Sequence, residues 1–509
     1  MTDVLFGQAY YLRFDPKSWA ARQPYAPLGA LYAAACVRQH GYGVALFDAM
    51  LAPSEAEWAA ALDRHQPRFA VIYEDSFNYL SKMCLLRMRQ AALTMIDAAR
   101  ARGITTIVAG SDASDHPATY LDRGADVVVM GEGEVTLVEL LDRMAGLRAP
   151  GASAGQALRG AGSIADVDGI CLRDGAGGIR WTRRREIIRD LDTLPFPAWD
   201  LVDVERYRTI WQRRHGHYSM NLVTTRGCPY HCNWCAKPIY GQRYTVRSPE
   251  HVVEEMLWLE RTYRPDHVWM ADDIFGLKPG WIARFADLVR ERDAAIPFKC
   301  LLRADQVTPV VAGALARSGC RTVWIGAESG SQRTLDAMEK GIRVEQIADA
   351  RRWLHDTGID VGFFLQFGYP GETRDDIEKT LQMVRDCRPD DIGISVSYPL
   401  PGTPFFDRVK ATLGVKQNWV DSNDLAMMYR AKYVPEFYRA LHSLVHAEFR
   451  ALHARSALSF VRHRLAVPLW RRRVDRLSRL SSRPRPALLS LPILTPHAAA
   501  VPTDQSSLK

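Results

Sequence analysis

The residues most able to do chemistry form the run Arg226-Gly227-Cys228-Pro229-Tyr230-His231-Cys232-Asn233-Trp234-Cys235. Three cysteines at Cys-x3-Cys-x2-Cys spacing follow a strand-like stretch at 221–225. Three thiolates in one short loop can hold three corners of an iron–sulfur cube, and no other cysteine lies close by in sequence to hold the fourth. An iron without a protein ligand is an open coordination position, where a small molecule can bind and react. A structural zinc knot is the bland alternative, but zinc wants four protein ligands in a closed site. The nearby candidate for a fourth, His231, lies between the cysteines, where its neighbours would strain to share one metal.

Such a loop needs elements to hold it. Strands are expected at 221–225, 267–271, 299–303, 322–326, 361–367 and 392–397, alternating with helices. One helix is announced by Ser248-Pro249-Glu250, an N-cap serine with proline at the first helical position. Six strand–helix units make a parallel α/β unit, in which functional side chains belong at the carboxyl ends of the strands. Those ends offer Asp272 and Asp273 after the second strand, Arg303 after the third, and Glu328 beside glycines after the fourth. Asp272 and Asp273 could instead cap the next helix. The turns Gly368-Tyr369-Pro370-Gly371 and Pro399-Leu400-Pro401-Gly402 close the fifth and sixth strands with Pro-Gly chemistry of their own.

The first 150 residues alternate in the same way, with strands expected at 4–6, 44–47, 69–73, 105–109 and 126–130 and helices at 28–40, 82–102 and 134–144. Short β-branched runs separated by helices mean a parallel sheet covered on both faces, a doubly wound domain. Ligands of such sheets bind beyond the carboxyl ends of the strands. Gly110 follows the fourth strand and Gly131-Glu132-Gly133-Glu134 the fifth. Gly131 and Gly133 permit a close backbone approach, and Glu134 favours a helix start.

The cysteine spacing resembles the signature of the radical S-adenosylmethionine (SAM) superfamily. The front half resembles the cobalamin-binding domain ahead of many such enzymes, through Tyr25-Ala26-Pro27-Leu28-Gly29, Gly43-Val44 and Gly131-Glu132-Gly133-Glu134. The resemblance implies a [4Fe-4S] cluster on Cys228, Cys232 and Cys235, with SAM chelating the fourth iron. It also implies a one-electron donor such as flavodoxin or ferredoxin. Reductive cleavage of SAM would then give a 5′-deoxyadenosyl radical that takes hydrogen from an unactivated carbon. By the same resemblance Trp234 packs on adenine, and the segment carrying Asp272 and Asp273 faces the SAM amino group. Arg303 offers a forked donor to the SAM carboxylate, and Glu328 accepts from the ribose hydroxyls. Gly110, Gly131, Glu132 and Gly133 fall to cobalamin.

The chain departs from the pattern in two places. The lower-ligand pattern Asp-x-His-x-x-Gly is absent, and the glycine pair expected after the fourth strand is Gly110-Ser111. The cobalamin implied is therefore one with a free or solvent-ligated lower face. The class includes carbon and phosphorus methyltransferases and the anaerobic magnesium-protoporphyrin monomethyl ester oxidative cyclase. Methyl transfer to carbon is the reaction expected first, and oxidative cyclisation or another carbon-skeleton rearrangement second. A methylthiotransferase would need a second cysteine triplet, which this chain lacks. A cluster-bearing sensor or nucleic-acid-binding protein is a reading of another class, and it has no need for the Arg303 and Glu328 strand ends.

At 509 residues the chain is too long for one ordinary core. The expected units are a cobalamin-binding-like domain at 1–148, a connector with short strands at 149–205, the partial barrel at 206–425, a basic helical extension at 426–485 and a disordered tail at 486–509. The start lacks the pattern of a secretory signal, and no stretch reads as a membrane span. Nine cysteines without paired spacing point to a reducing cytoplasm. The net charge of +8 is concentrated late, in Arg455, Arg462, Arg464, Arg471, Arg472, Arg473, Arg476, Arg479, Arg483 and Arg485, opposed by Asp475. Leu465, Val467, Leu469, Trp470, Val474, Leu477 and Leu480 interleave with them, which suits an amphipathic helix lying on lipid or docked on the protein. Peripheral membrane contact and a small-molecule or lipid substrate are the corresponding expectations; nucleic acid is disfavoured.

Overall fold

The computed structural model describes residues 2–77, 85–147, 163–235, 239–414, 416, 418–422 and 424–481. Residues 82–84 at the start of an expected helix, much of the connector, Arg483, Arg485 and the tail at 486–509 lie outside them.

The first sheet takes β1 (Val4–Gly7), β2 (Val44–Phe47), β3 (Phe69–Tyr73), β4 (Thr105–Ala109), β5 (Val127–Val129), β6 (Ile170–Arg173) and β7 (Ile179–Trp181), in the order β2-β1-β3-β4-β5-β6-β7. β1 to β5 run parallel, while β6 and β7 add antiparallel. The short strands of the connector thus extend the first sheet rather than standing between units. Alternation along the strands sorts side chains to two faces. Val4 and Phe6 join Phe69, Val71 and Tyr73 on one, and Leu5 joins Ala70, Ile72 and Trp58 on the other. The helix Leu28–Gln39 buries ten residues, Leu28 through Val37, four of them alanines that let it lie close to the sheet. The strand order reverses between β1 and β3, where an open α/β sheet forms its ligand crevice.

The second sheet is built from β8 (Ser219–Leu222), β11 (His267–Met270), β12 (Phe298–Leu302), β13 (Cys320–Glu328), β14 (Asp360–Phe367) and β15 (Asp391–Val396). Its order, β15-β14-β13-β12-β11-β8, is sequential and all parallel, the partial barrel expected. A small antiparallel pair, β9 (Thr225–Arg226) with β10 (Thr245–Val246), brackets the cysteine loop. The helix Pro249–Tyr263 starts as expected, with the Ser248 side chain accepting from the His251 N–H at 3.1 Å.

The units meet through named bonds. Tyr25 hydroxyl lies 3.0 Å from Ser219 Oγ, Asn221 Nδ2 donates to Ala26 O at 3.0 Å, and Trp211 Nε1 donates to Pro24 O at 2.7 Å. Tyr25-Ala26 therefore abuts the first barrel strand. At the other end the helices Pro435–Leu452 and Ala457–Ser481 pack together. Arg471 ties the second to Glu378 and Glu448 at 2.9 and 2.6 Å, and Val474 is fully buried beneath it.

Candidate functional site

The cysteine loop leaves β9 through Gly227, whose φ of +76° belongs to glycine, and a Cβ there would strike the Arg243 carbonyl oxygen. Cys232 is buried, and Cys228 and Cys235 are half-buried; none of the three is in a disulfide among the described residues. The loop is pinned by Asn233, whose every polar group is used. Its N–H donates to Met338 O at 3.1 Å and its carbonyl accepts from Phe405 N at 3.0 Å. Its Nδ2 donates to Ala337 O at 2.9 Å and Glu339 at 3.0 Å, while its Oδ1 accepts from the Tyr369 hydroxyl at 2.7 Å. Tyr369 comes from the turn after β14, so that turn holds the loop. His231 is exposed, and among the described residues no group of three or more His, Cys, Asp or Glu is arranged to hold a single metal ion.

Around Cys232 the strand ends assemble a charged network. Arg303 directs Nη1 at the Cys232 sulfur from 3.8 Å, and its Nε donates to Asp305 at 3.0 Å. Its Nη2 reaches Asp305 Oδ2 at 3.2 Å and the Lys340 carbonyl at 2.8 Å, and the guanidinium lies 3.6 Å from the centre of the Tyr230 ring. Glu328 is buried with φ +59° at a register shift in β13. A non-glycine residue held left-handed at a strand end is strain of the kind that collects at functional sites. Its carboxylate accepts from Lys340 Nζ at 2.9 Å. Burial works against the Lys340 charge, but Glu328 and then Cys232 outweigh it and hold the ammonium above the ordinary lysine pKa. Two cations, Arg303 and Lys340, thus lie beside Cys232. Sequence reasoning missed Lys340 and Asn233; Lys340 reads as a surface lysine because its partner lies on another element.

Trp234 is half-buried against Met338, Tyr369, Phe405, Val409 and Tyr429, and its buried indole N–H has no partner. Asp272 is buried and accepts from Thr224 N at 2.7 Å, Thr224 Oγ1 at 2.6 Å and Thr225 N at 2.8 Å. Burial pushes its pKa up to about 6 against those three donors. It ties the corner ahead of the cysteine loop and caps no helix, since the next one begins at Trp281. Asp273 is exposed.

In the first sheet, glycines make room for consecutive residues at the end of β3. A Cβ on Gly133 would sit 2.6 Å from the Tyr73 hydroxyl, and one on Gly110 2.6 Å from Glu74 Cβ. The Gly29 N–H donates to Asp75 at 3.0 Å. Gly131 lies beside the Ile239 carbonyl. Glu132 and Glu134 both bind Arg226, at 3.0 and 2.7 Å. At the β1–β3 crevice both amide atoms of Gln8 are buried without a partner, as is Glu74 Oε2. The other Glu74 oxygen accepts from Ala9 N at 2.9 Å, and burial pushes this carboxyl up to about 8. These orphaned groups suit a ligand rimmed with amides, as a corrinoid is. The three loop thiols with their flanking cations suit an iron–sulfur cluster. Between the sheets, a cavity of about 300 Å³ is lined by Asp112 and His116 after β4, Leu400 and Pro401 after β15, and Trp419, whose buried indole N–H is also unpartnered.

Two family models match the chain: the radical SAM superfamily over residues 222–384 and the B12 binding domain over residues 20–141. An uncharacterized methyltransferase of Pyrococcus horikoshii is 29% identical over 297 residues, 58% of this chain and 60% of the relative. The anaerobic magnesium-protoporphyrin IX monomethyl ester cyclase of Rubrivivax gelatinosus is 26% identical over 308 residues, 58% of this chain and 52% of that enzyme. The chain thus spans little more than half the length of these curated relatives. The solved structure of the cobalamin-dependent SAM radical enzyme OxsB, with aqua-cobalamin and SAM bound, superposes with a TM-score of 0.70 at 16% identity, covering 93% of this chain and 71% of that one. That likeness is one of fold. The domain matches imply a [4Fe-4S] cluster, SAM and cobalamin as cofactors.

Proposed function

We propose that this chain, a radical SAM protein with a B12-binding domain ahead of its barrel, transfers a methyl group to an unactivated carbon of a small molecule. The observation that carries the reading is the meeting of the two sheets' carboxyl ends, with the 300 Å³ cavity between them. A substrate there would meet Asp112 and His116 from the first sheet and Leu400 and Pro401 from the second. When bound, the cluster, SAM and corrinoid supply the electron, the radical precursor and the methyl group.

The chain's own part is to bind, orient and exclude water. Cys228, Cys232 and Cys235 would hold the cluster, with Arg303 and Lys340 offsetting its charge. Trp234 would lie on adenine, while Arg303 and Glu328 would turn from Asp305 and Lys340 to bind the SAM carboxylate and the ribose. Gln8 and Glu74 would meet the corrinoid rim. Oxidative cyclisation is the second reading, favoured by the cyclase relative. The electron would come from a donor such as flavodoxin or ferredoxin.

Peripheral membrane contact belongs to the proposal. Among the described residues no helix is long and apolar enough to cross a membrane. The helix Ala457–Ser481 nevertheless turns Leu458, Leu465 and Leu469 outward, 82, 65 and 66% exposed, and the same side continues into Arg472 and Arg476. Apolar side chains leading into arginines complement an anionic lipid surface. Anaerobic reconstitution with iron, sulfide, SAM and a strong reductant tests the enzyme reading: 5′-deoxyadenosine and methionine should form, and the absence of both would refute it.

A further inference from the structure

Glu132 and Glu134 lie in the B12-binding half, yet the partner they share is Arg226, two residues before the first cluster cysteine. Arg226 is 2% exposed. Its Nη1 donates to Glu132 Oε1 at 3.0 Å and its Nη2 to Glu134 Oε1 at 2.7 Å. The rings of Tyr32, Phe77 and Tyr240 surround the guanidinium, with centres 5.6 to 5.7 Å away. The second Glu132 oxygen accepts from Ile188 N at 2.6 Å, so the triad also catches the segment between the units. The backbone of Arg226 pairs with Thr245 in the β9–β10 ladder, and Gly227 then turns directly into Cys228. The side chain and main chain of one residue therefore link the end of β5 to the start of the cysteine loop.

We propose that Glu132 and Glu134 are positioning residues of the iron–sulfur half: through Arg226 they set the attitude of the cysteine loop, and they place negative charge beside it. A reduction potential responds to nearby charge and to cluster geometry. A buried guanidinium deprived of one carboxylate must shift to recover a partner, and it would carry Cys228 with it. Gly133, between the two acids, makes room for Tyr73, and Gly131, ahead of them, takes the turn with φ +76°, so the Gly-Glu-Gly-Glu run would act on two sites at once. The inference rests on the cluster reading alone. Wild-type protein that takes up no iron on reconstitution would refute that reading, a failure separate from the one tested below.

The test compares wild type with Glu132→Gln, Glu134→Gln and Arg226→Lys in full-length reconstituted protein. Iron content, the paramagnetic resonance spectrum of the reduced cluster with and without SAM, the midpoint potential and a hydroxocobalamin absorbance titration are read for each. The glutamine variants should retain iron and bind cobalamin as wild type does. Their midpoint potential should rise, because a negative charge is removed, and the SAM-dependent change in the spectrum should weaken. Arg226→Lys keeps the cation and shortens its reach, and it should alter the spectrum in a chain that retains its buried charge balance. A cobalamin affinity that falls tenfold while potential and spectrum stay at wild-type values overturns the proposal. So does an unmoved potential in both glutamine variants.

Discussion

At the carboxyl end of the second sheet most of the buried polar side chains satisfy one another, the Trp234 indole N–H and one Glu372 oxygen excepted. Arg303 is engaged by Asp305 and Tyr230, Glu328 by Lys340, Asp272 by Thr224 and Thr225, and Asn233 on all its polar groups. At the carboxyl end of the first sheet Gln8 has no partner and Glu74 only half of one. The barrel end is thus a site already shaped, while the front end is completed by what it binds. A buried polar group left unmatched costs about 1–3 kcal/mol, so a ligand that supplies the missing partners stabilises the front domain through them.

The most severe break of the preformed end is Cys232→Ala. It should abolish SAM cleavage and most of the iron; wild-type iron content in the variant would mean other ligands.

Glu74 tests the incomplete end through pH. Its folded-state pKa is raised to about 8 from the ordinary 4.5. The folded chain therefore keeps a proton that the unfolded chain has given up, so this contribution is complete below about 4.5 and lost as pH rises through about 8. Corrinoid-free wild type should lose stability on the order of a few kcal/mol between about pH 5 and about pH 9 relative to Glu74→Gln. Parallel pH profiles of the melting temperature for the two proteins would contradict this.

Asn233→Ala removes three side-chain bonds from the loop and should cost about 2–3 kcal/mol. It would show as a lower melting temperature and substoichiometric iron. Full iron loading at the wild-type melting temperature would mean that the cysteines position themselves. The smallest effect is expected far from both ends. Flotation on vesicles containing anionic lipid should fall when Arg472 and Arg476 are replaced by glutamate, and equal flotation would remove the membrane contact.

The comparison also explains what could be read from the chain before its structure. The cysteine triplet and the strands are local: spacing fixes the one and short β-branched runs the others, so both sheets and all six barrel strands stand where expected to within a few residues. The partnerships are not local. Arg226 and Glu134 are brought together across the unit boundary, and Glu328 finds Lys340 only after an intervening helix. A carboxylate at a strand end reads as a free ligand until its cation is placed, and for that reason Asp272, Glu132 and Glu328 have present roles their positions did not announce. The connector was legible as holding short strands, but which residues form β6 and β7 and which edge they join depends on pairing with β5.

The account's central claim is that one chain holds both cofactors across its facing sheet ends. Anaerobic titration of iron-loaded protein with hydroxocobalamin, followed by corrin absorbance after desalting, tests it most directly. Saturation at about one corrinoid per chain, in protein that still cleaves SAM, is the predicted result. Protein that cleaves SAM but retains no corrinoid would contradict the claim, and cobalamin-dependent methyl transfer with it.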